Sequence, residues 1–403
     1  MDNELNMRVE RHVLKSSNAY YKLLKKFCHA SKNLYNFANF QIRKEYFENK
    51  NIISYAKLDK MMKLEGFDFD YRAMPTSQAA QQCLMKLSYN WKGFFKSSKD
   101  FYKHPNKYKG RPRIPNYLEK NGEFELTMTN QNCKLDGGII RFPRSFEGFV
   151  LKTKQEKFQQ IRILPRFNHL VIEVVYYADA AKGFCDNGRY YSIDLGLDNL
   201  AVVTNNFGSK PFVISGKGLK SINQYYNKKN AHYCNISERM NGSKFTNRMH
   251  RITNKRNEKI RDFMQKSSRI IVNMALKNNV GTIVVGNNKR WKTNCNLGVK
   301  NNQSFVNIPH KKLIDMLCYK CDDSGIIFKT TEESYTSGTS FLDNEIPCKD
   351  NYNNLRRINR GLFRSNSGIL INADVNGSYQ ILKKVFPDAY ADGIVGVGLL
   401  QFG

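Results

Sequence analysis

One acid sits where an apolar strand would be expected to tolerate none. The stretch Tyr190-Tyr191-Ser192-Ile193-Asp194-Leu195-Gly196 is a β-run carrying Asp194, and a second β-run, Leu200-Ala201-Val202-Val203, follows at once. A carboxylate in such a strand is costly to bury unless a metal or a partner compensates it. A second acid of this kind, Asp374, stands in Leu370-Ile371-Asn372-Ala373-Asp374-Val375-Asn376-Gly377-Ser378, at the predicted start of a short helix near the C-terminus. Two compensated acids far apart in sequence imply a metal site assembled by the fold. The rest of the chain then has to supply a third carboxylate and a surface for the substrate.

Charge narrows the substrate. Among 403 residues, 65 Lys and Arg stand against 35 acids, a formal net charge of +30. Self-repulsion of that size opposes compaction, so a polyanionic partner is expected. Aromatics make up 12% of the chain, mostly Tyr and Phe. Phosphate contact combined with base stacking suits that mixture, and nucleic acid ranks ahead of a membrane surface. No apolar run is long enough to span a bilayer, and the polar start Met1-Asp2-Asn3-Glu4 predicts no signal peptide. Nine scattered cysteines argue against a disulfide framework and for a reducing cytoplasm.

Periodicity divides the chain. Residues 1–10 read as a short strand and 11–105 as mainly helical. Leu23, Leu24, Phe27, Leu34 and Phe37 fall at helical spacing, with Lys22, Lys25, Lys26 and Lys32 between them. Pro75-Thr76-Ser77 is a helix start, and Ala80, Leu84, Leu87, Trp91 and Phe94 then form a stripe that reads as core. The Pro/Gly-rich basic stretch from Asn106 to Pro115 breaks the pattern. Strands follow near 124–129, 139–142, 160–164 and 170–176, which predicts a small β-barrel with a boundary near 179–188. Residues 184–403 read as an α/β unit. Its strands lie near 190–195, 199–204, 212–215, 282–285 and 326–330, with a helix at 309–322. A long basic helical stretch spans about 218–279. The segment from Ser334 to Ile371 is long for a loop, which suggests function or disorder.

An acid at the end of a central strand, a Gly turn and a distant helical acid together suggest an RNase H-like core. This order of elements and motifs resembles the TnpB family of transposon-encoded, RNA-guided nucleases, relatives of Fanzor proteins and type V CRISPR effectors. The resemblance is most specific at Ile193-Asp194-Leu195-Gly196, at Tyr335-Thr336-Ser337 and at Ala373-Asp374-Val375-Asn376-Gly377. It implies an α+β multidomain fold: wedge barrel 1–10 and 106–183, helical recognition domain 11–105, and a RuvC-like nuclease domain 184–403. The nuclease domain would carry the basic helical insertion 218–279 and a degenerate zinc-finger region 338–372. The partners implied are a guide RNA from the transposon end, double-stranded target DNA and a short motif beside the target, with one protein per RNA in the cytoplasm.

Two departures follow. The family places a catalytic Glu at the end of the strand Thr282–Val285, where this chain has Gly286. Glu332 and Glu333 end the next strand, and some relatives carry a relocated Glu at about this place. Adjacent strands are about 4.8 Å apart, a gap a Glu side chain can roughly cover. Glu333 is preferred for its spacing to Thr336, as in Fanzor-like relatives, with Glu332 as rival. The second departure concerns zinc. Only Cys348 stands between the Thr-Ser motif and Asp374, and Ser365-Asn366-Ser367 replaces a second cysteine pair. Cys318 and Cys321 have pair spacing but lie upstream on a predicted helix, and structural zinc needs four ligands, so no structural zinc is expected.

Asp194, Glu333 and Asp374 offer hard oxygen donors that suit Mg²⁺, or Mn²⁺, and two such ions can serve both ends of a phosphodiester displacement. The plain alternatives are a helix N-cap for Asp374 and a turn acid for Asp194; Asp198 reads as a turn cap. Arg248, Arg251, Lys255 and Lys259 make a basic helix face suited to a guide–target duplex or simply to solvent. Lys289, Arg290 and Trp291 are candidates for the scissile strand. By resemblance, Gln78, Gln81, Gln82, Thr129, Asn130 and Gln131 are candidates for reading the target-adjacent motif, since amides can pair adenine bidentately. The expected activity is guided double-stranded DNA cleavage. A nuclease-inactive, RNA-guided repressor is the alternative that Gly286 and the lost zinc ligands favour. A strand transferase suits the core but not the rest of the chain.

Overall fold

The computed structural model describes residues 6–178, 185–241, 246–287, 308–359, 361–390 and 400–402. Chain contacts divide it into two units, Met1–Asp179 and Ala180–Gly403.

The first unit opens with strand β1 (Asn6–Lys15) and helices α1 (Tyr21–Asn49), α2 (Tyr55–Met62), α3 (Phe69–Arg72) and α4 (Ser77–Lys103). Thr76 caps α4, its Oγ1 accepting the Ala79 N–H at 3.1 Å. The stripe on α4 packs as its spacing predicts: Ala80, Leu84, Leu87 and Trp91 are buried, and Trp91 donates its indole N–H to Asn39 Oδ1 of α1 at 3.0 Å. Lys32 departs from the exposed-lysine pattern. It is buried, and its Nζ donates to the Lys120 carbonyl at 2.6 Å. The Pro/Gly segment runs along α1, held by Asn36 to Leu118 and by Asn39 to Pro115. Strands β2 (Leu126–Thr129), β3 (Lys134–Asp136), β4 (Ile139–Arg141), β5 (Val150–Lys152), β6 (Gln160–Arg166) and β7 (His169–Ala178) complete the unit.

The expected barrel is not closed among the described residues. Two open sheets form instead, ordered β1-β7-β6-β2 and β3-β4-β5. β1 pairs antiparallel along all of β7, from Asn6↔Ala178 to Lys15↔His169, which leaves β1 and β2 as edges.

The second unit is built on one six-stranded sheet. In chain order it comprises β8 (Tyr190–Asp194), β9 (Asn199–Asn205), β10 (Phe212–Ser215), α5 (Lys217–Asn241), α6 (Asn247–Lys277), β11 (Thr282–Gly286), α7 (His310–Ser324), β12 (Ile327–Thr331), β13 (Arg357–Asn359), β14 (Leu362–Arg364), β15 (Leu370–Asn372), α8 (Ala373–Val385) and β16 (Leu400–Phe402). The strand order is β12-β11-β8-β9-β10-β16. β8 pairs antiparallel with β9 and parallel with β11, and β11 pairs parallel with β12. Central strands must bury both faces, which is why β11 reads Thr-Ile-Val-Val-Gly and is buried throughout. One face packs Val203 and Ile283 with Ile271 of α6 and Leu313 of α7. The other packs Val202 and Val213 with Val375 and Tyr379 of α8. Each such side chain contributes roughly 1.5–3 kcal/mol by leaving water.

The stretch 218–279 is helical as expected and forms two packed helices, α5 and α6, with residues 242–245 outside the described chain. Two expectations are corrected. The segment Ser334–Ile371 is ordered by the small sheet β13-β14-β15. Glu332 and Glu333 follow β12, which ends at Thr331, so strict strand alternation does not govern them. Among the described residues no helix is long and apolar enough to cross a membrane.

Candidate active site

Asp194 is the last residue of β8, beside the end of β11. Its neighbours explain why it can stay there. Burial pushes its carboxyl well above the usual carboxylate range, and the Glu333 and Asp374 carboxylates push it further. Arg357 and a hydrogen bond from the Leu195 N–H act the other way. Across the sheet face, Gly377 of α8 leaves room for it: a Cβ at Gly377 would stand 2.9 Å from Asp194 Oδ2.

Asp374 lies in the first turn of α8 but does not cap it. Asn372 does, its Oδ1 accepting the N–H groups of Asp374 (3.0 Å) and Val375 (3.1 Å). The Asp374 carboxylate is thereby freed from capping, and it points at other partners. Asn199 Nδ2 donates to Oδ2 at 2.8 Å, and Arg357 Nη2 to Oδ1 at 3.4 Å. The rest of the motif ties the helix to its surroundings. Asn376 accepts the Phe341 N–H at 2.9 Å and donates to the Thr339 carbonyl at 2.8 Å, and Ser378 Oγ donates to the Ser192 carbonyl at 3.0 Å.

Glu332 and Glu333 part company just beyond β12. Glu332 is exposed, bonds Ser334 Oγ and meets Lys384 Nζ at 3.4 Å. Glu333 turns inward. Its backbone carbonyl accepts the Thr336 N–H (3.2 Å) and hydroxyl (2.8 Å), which closes a local turn. That side chain lies over Gly286. A Cβ at Gly286 would stand 2.6 Å from Glu333 Cγ, 2.7 Å from Ile381 Cδ1 and closer still to Glu333 Oε1. The seat from which a β11 Glu would have emerged is filled by Glu333. Burial, then the Glu332 carboxylate, pushes the Glu333 carboxyl up to about 7.

The donors suit a hard divalent ion in kind: carboxylate oxygens, two of them strained as anions, with the Arg357 guanidinium standing in as local cation. In placement they are open. Among the described residues no group of three or more His, Cys, Asp or Glu converges tightly enough to hold an ion.

Asp198, expected as a turn cap, pairs its carboxylate with Lys220 Nζ, while its carbonyl accepts the Gly216 N–H at 2.7 Å. The 338–372 region is tied by hydrogen bonds, most of them to acids. Arg356 Nη1 donates to both Glu345 oxygens (2.7 and 2.6 Å), Asp343 Oδ2 accepts the Asn366 N–H at 2.6 Å, and Ser365 Oγ bonds Ser367 Oγ at 2.8 Å.

On α6, Arg248, Arg251, Lys255 and Lys259 are all exposed, while Ile260 and Met264 are buried. In the first unit, Gln78 Nε2 donates to Gln131 Oε1 at 2.8 Å and Thr129 Oγ1 to Gln78 Oε1 at 2.7 Å, so three of the amide and hydroxyl candidates meet. Gln81 and Gln82 are partly exposed one turn further along α4, and Asn130 is exposed next to Thr129. Lys289, Arg290 and Trp291 lie outside the described residues. Sequence reasoning missed Asn199, Arg357 and Asn372. Asn372 had a signal, being the residue before the helix; Arg357 had none, since only the fold brings it near.

A probable transposase family, OrfB_IS605, matches residues 186–292, and the Cas12f1-like TNB domain family matches residues 310–381. A Cas12f1 chain solved with sgRNA and target DNA is 15% identical over 90% of this chain and 82% of that one, with a TM-score of 0.59. A mini-RNA-guided endonuclease, CRISPR-Cas phi3, is 9% identical over 98% and 94%, with a TM-score of 0.47. No curated protein sequence matches. The fold is thus similar to that of Cas12f1, a mixed α/β multidomain architecture, and the chain resembles the TnpB-like family through both family matches.

Proposed function

We propose that this protein is an RNA-guided DNA endonuclease of TnpB type, with an RNase H-like (RuvC) nuclease core and Glu333 in place of the absent β11 Glu. The observation that carries the reading is the occupation of the Gly286 seat by Glu333, next to Asp194, whose carboxyl feels both Glu333 and Asp374. Mg²⁺ or Mn²⁺ held by Asp194, Glu333 and Asp374 would supply an activated water and charge neutralisation at the leaving oxygen. The chain's own part is to orient these groups. β8 fixes Asp194, the space at Gly286 seats Glu333, and Asn372 and Asn199 hold Asp374. Arg357, paired with Asp374 at 3.4 Å, would compete with a cation for that carboxylate. In this reading the basic face of α6 follows the guide–target duplex. The Gln78–Gln131–Thr129 cluster reads the motif beside the target, with Gln81, Gln82 and Asn130 at its margin, and Lys289, Arg290 and Trp291 contact the scissile strand.

A second reading, a nuclease-inactive guided repressor, draws on the open carboxylate arrangement and the Arg357–Asp374 ion pair. One experiment separates the two. The protein is expressed with RNA from its gene's 3′ end and offered a plasmid with a matched target and randomised flank in Mg²⁺. Cutting that is lost in Asp194→Ala and Glu333→Gln but kept in Glu332→Gln supports the nuclease. Guide-dependent binding without cutting in the unaltered protein selects the repressor.

A further inference from the structure

Where α5 and α6 pack, they leave a cleft of about 380 Å³ whose lining includes Tyr225, Tyr226, Lys255, Arg256 and Lys259. That volume falls within the roughly 300–1,000 Å³ of small-ligand sites. Ile222 and Ile252 add apolar lining, and no acid is among the lining residues. Three cations, two aromatic rings and an apolar wall favour a ligand that is anionic at one end and flat and apolar at the other.

The two tyrosines are not equivalent. Tyr226 is committed to the helix pair: its hydroxyl bonds Thr253 Oγ1 at 3.1 Å, and the Arg256 guanidinium stands over its ring at 5.4 Å. Arg256 is fixed in turn by donating Nε–H to Asn223 Oδ1 at 2.9 Å, with Asn223 only 2% exposed. Tyr225 keeps 64% of its surface exposed. Beyond the cleft, Lys255 and Lys259 continue into Arg251 and Arg248 along one face of α6. At 1.5 Å per residue, that row covers about 16 Å, room for several phosphates of one strand.

A duplex keeps its base faces stacked inside and could use only the cations. We infer that the cleft takes one unpaired nucleotide of a single strand, its base stacked on Tyr225 and its phosphate held by Lys255 and Lys259. This deepens the nucleic-acid reading above and rests on it for the class of ligand. It assigns this stretch of the basic face to a strand with an open base rather than to duplex backbone alone.

The test needs neither guide nor cleavage. Fluorescein-labelled U12 RNA, T12 DNA and a 12-base-pair duplex are titrated against the full chain, Tyr225→Ala and Tyr225→Phe at one salt concentration. Tyr225→Ala should weaken single-strand binding by about 5- to 150-fold, the span of losing one base–aromatic stack, and change duplex binding less than twofold. Tyr225→Phe should keep single-strand binding, because the ring face remains. Loss on U12 alone assigns the nucleotide to RNA, and loss on both strands assigns it to either sugar. Equal effects on strand and duplex, or no effect of Tyr225→Ala, overturn the proposal. Because the assay contains no metal and no target, a negative result leaves the nuclease reading standing, and failure to cut DNA leaves this one standing.

Discussion

Two acidic clusters in the C-terminal unit are handled in opposite ways. Asp343 and Glu345 are fully engaged, by Ser340, Asn366 and the bidentate Arg356, and those hydrogen bonds outweigh burial and hold both carboxyls below their ordinary values. Asp194 and Glu333 are partly buried beside other acids and pushed up. The first cluster ties together the segment that carries the small sheet β13-β14-β15. The second is kept at a cost, which the proposed function would explain by a bound cation. Acid count does not separate structure from function here; satisfaction of the carboxylates does.

The most severe break of this contrast is Asp194→Ala. It is expected to lower guided cleavage by at least about 1,000-fold while leaving the melting temperature equal or higher, since an unfavourable charge is removed. Plasmid cleavage and a thermal melt on the same sample check both halves.

Next comes Gly286→Ala. The added methyl meets Glu333 and Ile381, so stability should fall by about 1–3 kcal/mol, and cleavage by roughly 10- to 100-fold through misplacement of Glu333. If Gly286→Ala cuts normally, the seat is not what positions Glu333. The paired change Gly286→Glu with Glu333→Gly should recover part of the activity that Gly286→Glu alone removes, measured in the same assay.

In the satisfied cluster, Glu345→Gln should lower stability by about 1–3 kcal/mol and leave cleavage per folded molecule unchanged at low temperature. Denaturant melts paired with cleavage at 25 °C would show it.

The clusters should also respond to pH with opposite signs. Folded Glu333 keeps its proton up to about 7, whereas its ordinary value is 4.5. Without metal, ionisation above 7 therefore costs stability, at most roughly 3 kcal/mol. That cost is relieved as pH falls from 7 towards 4.5. Glu333→Gln should flatten this slope in EDTA. Asp343 and Glu345, lowered in the fold, contribute stability that is present above their ordinary values of 3.8 and 4.5 and lost as pH falls through the lower folded values. The smallest effect is Glu332→Gln, within about twofold in cleavage, because an exposed pair to Lys384 is worth little.

Much of the architecture was legible because burial writes a period into the chain. The core strands β8, β9, β10, β11 and β12 and the stripe on α4 fall within a few residues of where spacing puts them. The barrel was not legible, since strands of one pattern pair equally well in a closed ring or in two open sheets. The division of the helical stretch 218–279 into two helices was not foreseen either. The turn residues Asn241-Gly242-Ser243 and the cap Thr246 mark the break in the sequence, but a basic character shared by both sides hides it.

For the site, the sequence by itself determined which acids are anomalous. An Asp at the end of an apolar strand, an Asp behind an Asn at a helix start and a Gly at the end of a buried strand are visible in one dimension. Which of Glu332 and Glu333 turns inward is visible only in the tertiary structure. The two are adjacent and chemically identical, yet one lies in the space that Gly286 leaves and the other pairs with Lys384. Arg357 beside Asp374 is likewise a product of the fold. Local spacing records what each element buries. It holds no record of which side chain from a distant element will fill the gap a glycine leaves.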